Sequence, residues 1–283
     1  HGDGTGLPCP RRSGGVRMNI APIRPKLLDL FCGGGGASMG YHLAGFDVVG
    51  VDLSPQPGYP FEFIQADWEE PLAFLPGMWE REGIPYAIHA SPPCQRYSSM
   101  TKRWARESAH PDLVDPVREA LELLHEDGGV PWCIENVEGA PLRNPTMLCG
   151  SMFGLQATFE GRLYGLRRHR MFEASFDLFA PASCAHQGQP LPVYGHPGGS
   201  SKRDGLRFPD TAAWRTGMGI DWMTVKQLAE SIPPAYTNYV GQRMMAALQR
   251  YECPCGATFP VALGKYGCPN CEGDNEAVLK ALA

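Results

Sequence analysis

The sequence predicts an α/β fold in which helices cover both faces of a doubly wound, mostly parallel sheet. Short apolar runs of strand length alternate with segments of helical pattern between residues 26 and 137, an order typical of parallel sheets. Several of these runs end next to glycine, acidic or reactive residues, and folds of this class bind ligands at the carboxyl ends of their strands. The length of 283 residues suits one large domain with smaller appended modules.

The elements follow one another in a regular order. Apolar character and flanking turn residues predict the strands, and Gly45 marks the end of the first helix. The strands are predicted at 26–31, 46–52, 61–66, 85–90 and 131–137, and the helices at 37–44, 114–124, 225–230 and 238–251.

Composition divides the chain further. Residues 1–24 are rich in glycine, proline and arginine without periodicity, and we expect this segment to be flexible. The main α/β domain is expected at 25–172. The strand–helix rhythm then gives way to proline, glycine, serine and histidine, which predicts a small loop-rich module at 173–222. Residues 223–250 are expected to return to the main domain, and 251–283 form a tail.

The composition also excludes some classes of protein. Hydrophobic residues make up 43% of the chain, but no apolar run is long enough to span a membrane. The polar, glycine-rich beginning has no apolar stretch of the kind that a secretory signal needs. Ten scattered cysteines fit a reducing compartment better than a disulfide scaffold. We therefore expect a cytoplasmic monomer without a membrane partner.

The charge of the chain argues against one mode of nucleic-acid binding. A net charge of −5 disfavours coating of nucleic acid by bulk electrostatics, but it leaves room for a local basic groove. Basic residues cluster at 102–106, 167–170 and 202–203. For the first and third clusters, a role in phosphate contact and an ordinary solvated surface are about equally expected.

The stretch Ser91-Pro92-Pro93-Cys94-Gln95 is the most informative in the chain. It follows a predicted strand, and the two prolines that precede the cysteine restrict the backbone next to the thiol. A packing cysteine does not need such a rigid setting, whereas a nucleophile does, because its line of attack must be fixed. Cys94 is therefore the predicted nucleophile.

A second motif joins the first strand to a helix through consecutive glycines at 33–36. Glycines allow a ligand to approach the backbone, although the spacing is not that of the dinucleotide fingerprint. Asp52 ends the next strand, where an acid commonly binds ribose hydroxyls, and Asp67 follows the third. Together they favour an adenosine-bearing cofactor, with turn capping as the alternative for both acids.

Four motifs, in this order, resemble those of cytosine-5 DNA methyltransferases of the compact bacterial or phage type. They cover about residues 26–172, and the resemblance resumes weakly near 219–245. The motifs are Asp-Leu-Phe-Cys-Gly-Gly-Gly-Gly at 29–36, Ser-Pro-Pro-Cys-Gln at 91–95, Ile-Glu-Asn-Val at 134–137 and Arg-His-Arg at 168–170.

The resemblance implies S-adenosylmethionine in the glycine pocket of a catalytic domain at 25–172. Phe31 would stack on the adenine, Asp52 would hold the ribose and Asp67 would bind the adenine amino group. The remaining implied cofactor residues are Asp29, Gly33, Gly35, Pro93 and Ser231. The module at 173–222 would be the part that recognises the target DNA, with residues 194–199 as its contact loop.

The chemistry of the ring explains the implied catalytic residues. Carbon 5 of cytosine is a poor nucleophile until a thiolate adds at carbon 6, and we expect positive charge to lower the pKa of Cys94 for this step. Protonated Glu135 would donate to ring N3 and Arg170 to O2, with Arg168 beside it. The target base must flip out of the duplex, because the stacked ring is inaccessible.

Two positions depart from the family pattern. Leu166 stands where glutamine usually precedes the arginine pair. Glu230 stands where asparagine usually precedes the serine equivalent to Ser231. These departures affect local contacts, while the arginines and the serine keep their places.

The tail carries four cysteines whose spacing resembles that of a zinc ribbon. Four thiolates can close a tetrahedral structural site, although the first pair has the less usual C-x-C spacing. Reduced free thiols are the alternative. Cys184 and His186 form another pair, but two ligands alone do not predict a site. The expected zinc ligands are Cys253, Cys255, Cys268 and Cys271.

Two other functions remain open at this point. A tRNA cytosine-5 methyltransferase would carry the same motifs, because one branch of the family acts on RNA. A catalytically silent DNA-binding protein on this scaffold is the other, and the intact Cys94 and Glu135 argue against it.

Overall fold

The computed structural model describes residues 24–94, 96–97, 112–200, 207–248, 250–252 and 258–260. Twelve strands and six α-helices are described in this part of the chain, together with a 3₁₀ turn at Gly150–Phe153. In chain order they are β1 (Lys26–Leu30), α1 (Gly36–Ala44), β2 (Asp47–Asp52), β3 (Glu62–Gln65), α2 (Glu69–Arg81), β4 (Tyr86–Ala90), α3 (Val114–Gly128), β5 (Trp132–Asn136), β6 (Thr146–Leu148), β7 (Gln156–Phe159), β8 (Arg162–Gly165), β9 (Arg170–Ala174), β10 (Gln189–Pro190), α4 (Thr211–Met218), α5 (Val225–Glu230), α6 (Pro234–Ala247), β11 (Arg250–Glu252) and β12 (Thr258–Pro260).

A seven-stranded sheet forms the centre of the molecule, in the order β3-β2-β1-β4-β5-β9-β6. Strands β1 to β5 are parallel, and β9 runs antiparallel to both of its neighbours. The chain winds outward from β1 in one direction and from β4 in the other. Ala90 is in register with both Leu30 and Ile134. The ends of β1, β4 and β5 therefore meet at the topological switch point, where folds of this class bind ligands.

Helices cover both faces of this sheet, as the sequence predicts. One face of β1, represented by Leu28 and Leu30, packs into a core with α2 and α3. The alternate face, represented by Leu27, packs into a second core with α1 and α6. Because successive strand residues point to opposite faces, the near-continuous burial of β1, β4 and β5 reflects this double cover.

A smaller unit lies beside the main sheet. It combines the three-stranded sheet β10-β8-β7 with α4 and α5 around its own apolar cluster. Its first two strands form a hairpin at 156–165, ahead of the predicted start at 173, and residues 173–174 belong to the main sheet. The positive φ of Glu160 and Gly161 turns this hairpin tightly. The change in composition after residue 172 therefore predicts only the later part of this smaller unit, because its first two strands come before that change.

Two further helix assignments differ from the sequence prediction. Helix α2 was not predicted, because Pro71 and Pro76 lie within it and proline disfavours helix interiors. Helix α6 begins at Pro234 rather than at residue 238, since a proline in the first helical turn loses no helical hydrogen bond.

Some predictions concern residues outside the described part. These are the flexible segment at 1–24, of which only Arg24 is described, the basic clusters at 102–106 and 202–203, and the four tail cysteines. In the described part, no helix combines the length and apolar character needed to cross a bilayer.

Candidate active site

One cavity of about 1350 Å³ opens at the carboxyl ends of β1, β4 and β5. Its volume exceeds the range of about 300 to 1,000 Å³ that single small-molecule sites usually have, which leaves room for two ligands side by side. Every predicted catalytic and cofactor residue except Gly35 lines it. These are Asp29, Phe31, Gly33, Asp52, Asp67, Pro93, Cys94, Glu135, Arg168, Arg170 and Ser231.

The glycine loop forms the floor of one half of the cavity. Phe31 and Gly33 adopt positive φ values of 60° and 50°, and a Cβ added at Gly33 would meet no atom within 4 Å. The backbone here therefore faces open space, as close approach of a ligand requires. Gly35 differs, because a Cβ there would lie 2.9 Å from the Tyr59 ring. Its role in this structure is close packing rather than contact with the cavity.

The two acids predicted to hold adenosine lie at the same end. Asp52 accepts hydrogen bonds from the backbone N–H groups of Gly33 (3.1 Å) and Ser54 (2.9 Å), so it ties the glycine loop to β2. Asp67 is exposed at the rim. The Phe31 ring lies 6.3 Å from that of Trp68 between their centroids, and both residues line the cavity. Aromatic, acidic and open-backbone groups together fit an adenosine-bearing molecule.

Asp29 is fully buried beneath this floor. Burial raises its pKa to about 7, although the Ser38 hydroxyl donates to it and opposes the rise. One carboxylate oxygen, Oδ1, has no hydrogen-bond partner among the described residues. The carboxyl is thus poised between its protonation states near neutral pH.

The Pro-Pro-Cys loop is held by the strand beside it. The Asn136 side chain donates to the backbone carbonyl of Pro92 (3.0 Å) and accepts from the N–H of Val137 (2.9 Å). The Cys94 carbonyl also accepts from the N–H of Tyr97 (3.0 Å). These bonds fix the approach to the thiol, as a nucleophile requires.

The thiol itself is not activated in the way that the sequence predicts. Burial raises the pKa of Cys94, and the nearby Glu135 carboxylate raises it further. Arg170 and Arg168 act in the opposite direction, but their effect is smaller. The expectation of a lowered pKa is therefore wrong for the ligand-free cavity, because desolvation of the thiolate outweighs the positive charges.

Glu135 is a buried carboxyl group with an incomplete set of partners. Burial raises its pKa, while Arg170 lowers it through a contact of 3.0 Å between Nε and Oε1. Oε1 nevertheless receives no well-directed hydrogen bond from the described residues. A raised pKa favours the protonated carboxyl, which can donate a hydrogen bond into the cavity.

The sequence analysis missed a series of hydrogen-bonded side chains that lies behind Glu135. The Ser91 hydroxyl hydrogen-bonds to Glu135 and lies 2.9 Å from Nε2 of His89, whose Nδ1 lies 2.9 Å from the Tyr41 hydroxyl. Burial lowers the pKa of His89 to about 3, so its ring is neutral. If Ser91 donates to the carboxylate, His89 donates from Nε2 and Tyr41 donates to Nδ1. The position of Ser91 within the Pro-Pro-Cys motif was the available signal.

The two arginines have different surroundings. Arg168 donates to the backbone carbonyls of Val193 (3.0 Å) and Ala229 (2.7 Å), so it ties the segment just before β9 of the main sheet to the smaller unit. Burial lowers its pKa to about 9, and its Nε has no partner among the described residues. Arg170 instead faces Glu135. Leu166, which replaces the usual glutamine, is buried in the small module's core.

Ser231 in the returning chain lines the cavity, and Trp222, just before that segment, contacts the glycine loop. The Ser231 hydroxyl donates to the carbonyl of Gln227 (2.7 Å), so this bond must be exchanged if it is to bind a cofactor carboxylate. The Trp222 indole donates to the carbonyl of Gly34 (2.9 Å). This contact steadies the glycine loop, and sequence reasoning missed it because 188 residues separate its partners.

Comparisons with known proteins agree with this geometry. No protein-family model matches the chain. The chain is 27% identical over 235 residues to a type II methyltransferase, M.XorII, of Xanthomonas oryzae pv. oryzae. The match covers 75% of this chain and 53% of the relative, so the chain spans about half the length of the curated protein that it matches.

Solved structures of similar fold are also methyltransferases. DNMT2 of Spodoptera frugiperda, as a mutant, has a TM-score of 0.51 at 13% identity, with 78% of this chain and 99% of that one covered. A prophage-encoded candidate DNA modification methyltransferase of E. coli has a TM-score of 0.49 at 13% identity, covering 79% and 99%. The resemblance predicted from the motifs is confirmed. The fold is that of class I methyltransferases, and it implies S-adenosylmethionine as the cofactor.

Proposed function

We propose that this chain transfers a methyl group from S-adenosylmethionine to carbon 5 of cytosine in DNA. One observation carries the proposal: Cys94, Glu135 and Arg170 line the same cavity as the glycine loop. That cavity is large enough for a cofactor and a base. The match to a type II methyltransferase favours DNA as the substrate.

Cys94 would act as the nucleophile. Its sulfur adds to carbon 6 of the ring, the electrons of the carbon 5–carbon 6 double bond move to form a carbon 4–carbon 5 double bond, and N3 takes up a proton, which leaves an enamine. Because burial raises the pKa of the thiol, its proton must pass to water or another base before the sulfur adds. Arg168 and Arg170 would stabilise the thiolate at that step.

Glu135 and Arg170 would stabilise the charge that this addition creates. Protonated Glu135 would donate to N3, where negative charge builds, and burial favours this protonated form because it raises the pKa of the carboxyl. Arg170 is positioned to donate toward O2. Asp52, Asp67 and Phe31 would hold the adenosine part of the cofactor, and the backbone at Gly33 would pass close to it.

The remaining steps complete the exchange at carbon 5. S-adenosylmethionine would supply an electrophilic methyl group to carbon 5 and would leave as the demethylated thioether. After carbon 5 has taken the methyl group, a water-assisted base removes the carbon 5 proton. The sulfur then leaves carbon 6 with its electron pair, and aromaticity returns. The base must be flipped out of the duplex for Cys94 to reach it.

The rest of the chain would serve this reaction. The small module, including Tyr194 at the cavity wall, would contact the bases around the target. The tail cysteines would hold a structural zinc ion. We place the activity in the cytoplasm of a bacterium or a phage-infected host, in DNA modification of the restriction–modification kind.

The test is covalent trapping on a randomised duplex pool that contains 5-fluorocytosine. Fluorine cannot leave carbon 5 as a cation, so the adduct persists and is seen as a denaturant-stable band. We expect Cys94→Ser to abolish the band and to lower methylation at least about a thousandfold. Glu119→Gln is the control, because Glu119 is exposed on α3 and does not line the cavity.

Bisulfite sequencing of host DNA after expression would read activity and sequence specificity together. Trapping on tRNA but not on DNA would replace the DNA substrate with RNA. No adduct with either substrate, under conditions where the protein is folded and binds the cofactor, would contradict the proposed chemistry.

A further inference from the structure

Four metal-ligating side chains from separate parts of the chain meet at the surface. Cys149 follows β6, His169 precedes β9, and Cys184 and His186 lie in the loop between β9 and β10. Their ligand atoms all lie within 4.8 Å of one another. We propose that Cys149, His169, Cys184 and His186 form a structural zinc site. It is distinct from the one predicted in the tail.

The distances between the ligand atoms match a tetrahedron around one ion. Zinc bonds of about 2.3 Å to sulfur and about 2.0 Å to nitrogen place sulfur about 3.5 Å from nitrogen and two nitrogens about 3.3 Å apart. The two histidine Nε2 atoms lie 3.3 Å apart. Cys149 Sγ lies 3.4 Å from His186 Nε2, and Cys184 Sγ lies 3.5 Å from His169 Nε2. Only the 2.9 Å separation between Cys184 Sγ and His186 Nε2 is shorter.

Groups behind the ligands orient them toward the centre. Nδ1 of His169 lies 3.6 Å from the Glu138 carboxylate, which leaves Nε2 for the metal, as in carboxylate–histidine–zinc arrangements. The Ser151 hydroxyl lies 3.3 Å from Cys149 Sγ and 3.7 Å from Cys184 Sγ. It also accepts from the N–H of Ala185 (3.2 Å). Hydrogen bonds of this kind stabilise thiolate ligands.

The ligand set favours zinc in a structural role. Two thiolates and two imidazoles are the donors of closed four-coordinate zinc sites, and no position remains open for a substrate. Within the described part of the chain, this is the one cluster of three or more such ligands.

The site would fix a segment that has little else to hold it. Residues 179–190 are all exposed, and the described strands leave 175–188 outside any sheet. The metal would bind this loop to the main sheet through His169, which lies between Arg168 and Arg170. Through Glu138 it would also steady the segment that follows Glu135. The ion therefore positions the walls of the cavity without touching a substrate.

The experiment separates this site from the tail. A variant with serine at Cys253, Cys255, Cys268 and Cys271 is purified under reducing conditions and its zinc is measured by mass spectrometry. We expect one zinc ion per chain to remain. Replacement by Co²⁺ should give the intense visible bands of a tetrahedral site with thiolate ligands. Adding Cys184→Ser and His186→Ala should remove the ion, whereas Ser183→Ala, in the same loop, should retain it.

A second measurement needs no substitution, so it stands even if a variant fails to fold. Cys184 is exposed and would react quickly with a maleimide if it were free. In the zinc-loaded full chain we expect slow labelling at this residue. Removal of the ion with a chelator should raise the rate at least about tenfold, since the bound thiolate is shielded. Peptide mapping by mass spectrometry reads Cys184 separately from the tail.

Any one of three results would overturn the proposal. The first is a tail variant that is folded and reduced but binds no zinc or cobalt. The second is a Cys184 labelling rate that is the same with and without the chelator. A Cys149–Cys184 disulfide that survives reduction and excludes metal would have the same effect.

Discussion

The charge of Glu135 acts on the Cys94 thiol across the cavity. Burial and this carboxylate raise the pKa of Cys94, and Arg170 and Arg168 only partly offset them. Glu135 thus has two effects on the proposed reaction. Its proton would stabilise the substrate, whereas its ionised form would hold the thiol neutral until a substrate arrives.

We predict that Glu135→Gln lowers the pKa of Cys94, because it removes the negative charge and leaves Arg170 without its counter-ion. Alkylation of Cys94 by iodoacetamide, followed by peptide mass spectrometry between about pH 7 and 10, should become a few-fold faster at the lower end. The Glu119→Gln variant, changed at an exposed position of α3 outside the cavity, should follow the parent chain. A slower reaction in Glu135→Gln would show that the carboxylate does not oppose the thiolate.

At this scale the sequence predicted which residues meet in the cavity but not the side chains that contact them. Cys94, Glu135 and Arg170 stand in local motifs that can be read along the chain. His89 and Tyr41 were missed because their link to Glu135 through Ser91 depends on the alignment of different elements. The direction in which the pKa of Cys94 is shifted depends on the burial of the thiol, and no local sequence pattern predicts that burial.

Among the elements, antiparallel β9 is held to α3 by a buried ion pair. Arg118 Nε and Nη2 lie 2.7 Å and 2.9 Å from the two oxygens of Glu173. Arg118 also donates to the carbonyl of Pro141 (2.7 Å), and the N–H of Arg143 donates to Glu173 (2.7 Å). The pair is almost fully buried, at 1% and 5% side-chain exposure.

Breaking this pair should be costly, since an unpaired buried charge remains. We predict that Arg118→Met lowers the free energy of unfolding by about 3 to 5 kcal/mol, measured by urea denaturation. Arg143→Ala removes a pair with Glu122 whose members are 61% and 38% exposed, and it should cost no more than about 1 kcal/mol. Equal losses in the two variants would contradict the importance of burial.

The contact between α1 and α6 depends on the absence of a side chain at Gly40. A Cβ there would lie 2.0 Å from Thr237 Oγ1 and 2.3 Å from the carbonyl oxygen of Pro234. Because one of these atoms belongs to the backbone, the helices would have to separate. We predict that Gly40→Ala lowers the melting temperature and costs about 3 kcal/mol, at the upper end for overpacking.

Gly77 in α2 provides the matched control. The nearest atom to a Cβ at that position is 3.7 Å away, at the end of the Arg81 side chain. Gly77→Ala should therefore stabilise the chain by up to about 1 kcal/mol, as helix propensity alone dictates. A destabilising Gly77→Ala, or a neutral Gly40→Ala, would show that the two helix surfaces are described incorrectly.

The elements that the sequence predicted best are those of the central parallel sheet. Their apolar runs are short, fully buried and bounded by turn residues, so each can be recognised alone. The hairpin β7–β8 was harder to predict, because a short exposed strand has little pattern, and so were the ligands of the proposed zinc site, because they lie far apart in the sequence. The Cys184–His186 pair gives no indication that Cys149 and His169 lie beside it.

For the whole molecule, the motifs converge because the winding of the sheet reverses between β1 and β4. The glycine loop, the Pro-Pro-Cys loop and Glu135 follow the ends of β1, β4 and β5, and parallel strands bring these ends together. Burial at this junction is deep enough to shift the pKa values of Asp29 and His89 in opposite directions. Both shifts should therefore affect how the free energy of unfolding depends on pH.

Asp29 and His89 oppose each other in their effect on stability between about pH 4 and 6.5. The pKa of Asp29 rises from 3.8 to about 7 on folding, so the folded chain binds the extra proton and loses stability as the pH rises through this range. The pKa of His89 falls from 6.5 to about 3, so the unfolded chain binds the extra proton and stability increases with pH. The two slopes cancel in part where they overlap.

We therefore predict opposite changes when each group is removed. In Asp29→Asn the unfolding free energy should rise more steeply with pH between about 4.5 and 6.5 than in the parent chain, because one of the two raised carboxyl pKa values that oppose His89 is then removed. In His89→Gln it should fall over the same interval, because Asp29 and Glu135, whose pKa values are both raised, are no longer opposed by His89. Urea denaturation at matched pH values measures both slopes. Parallel profiles for the parent chain and the two variants would mean that neither group is shifted by folding in the direction that its burial requires.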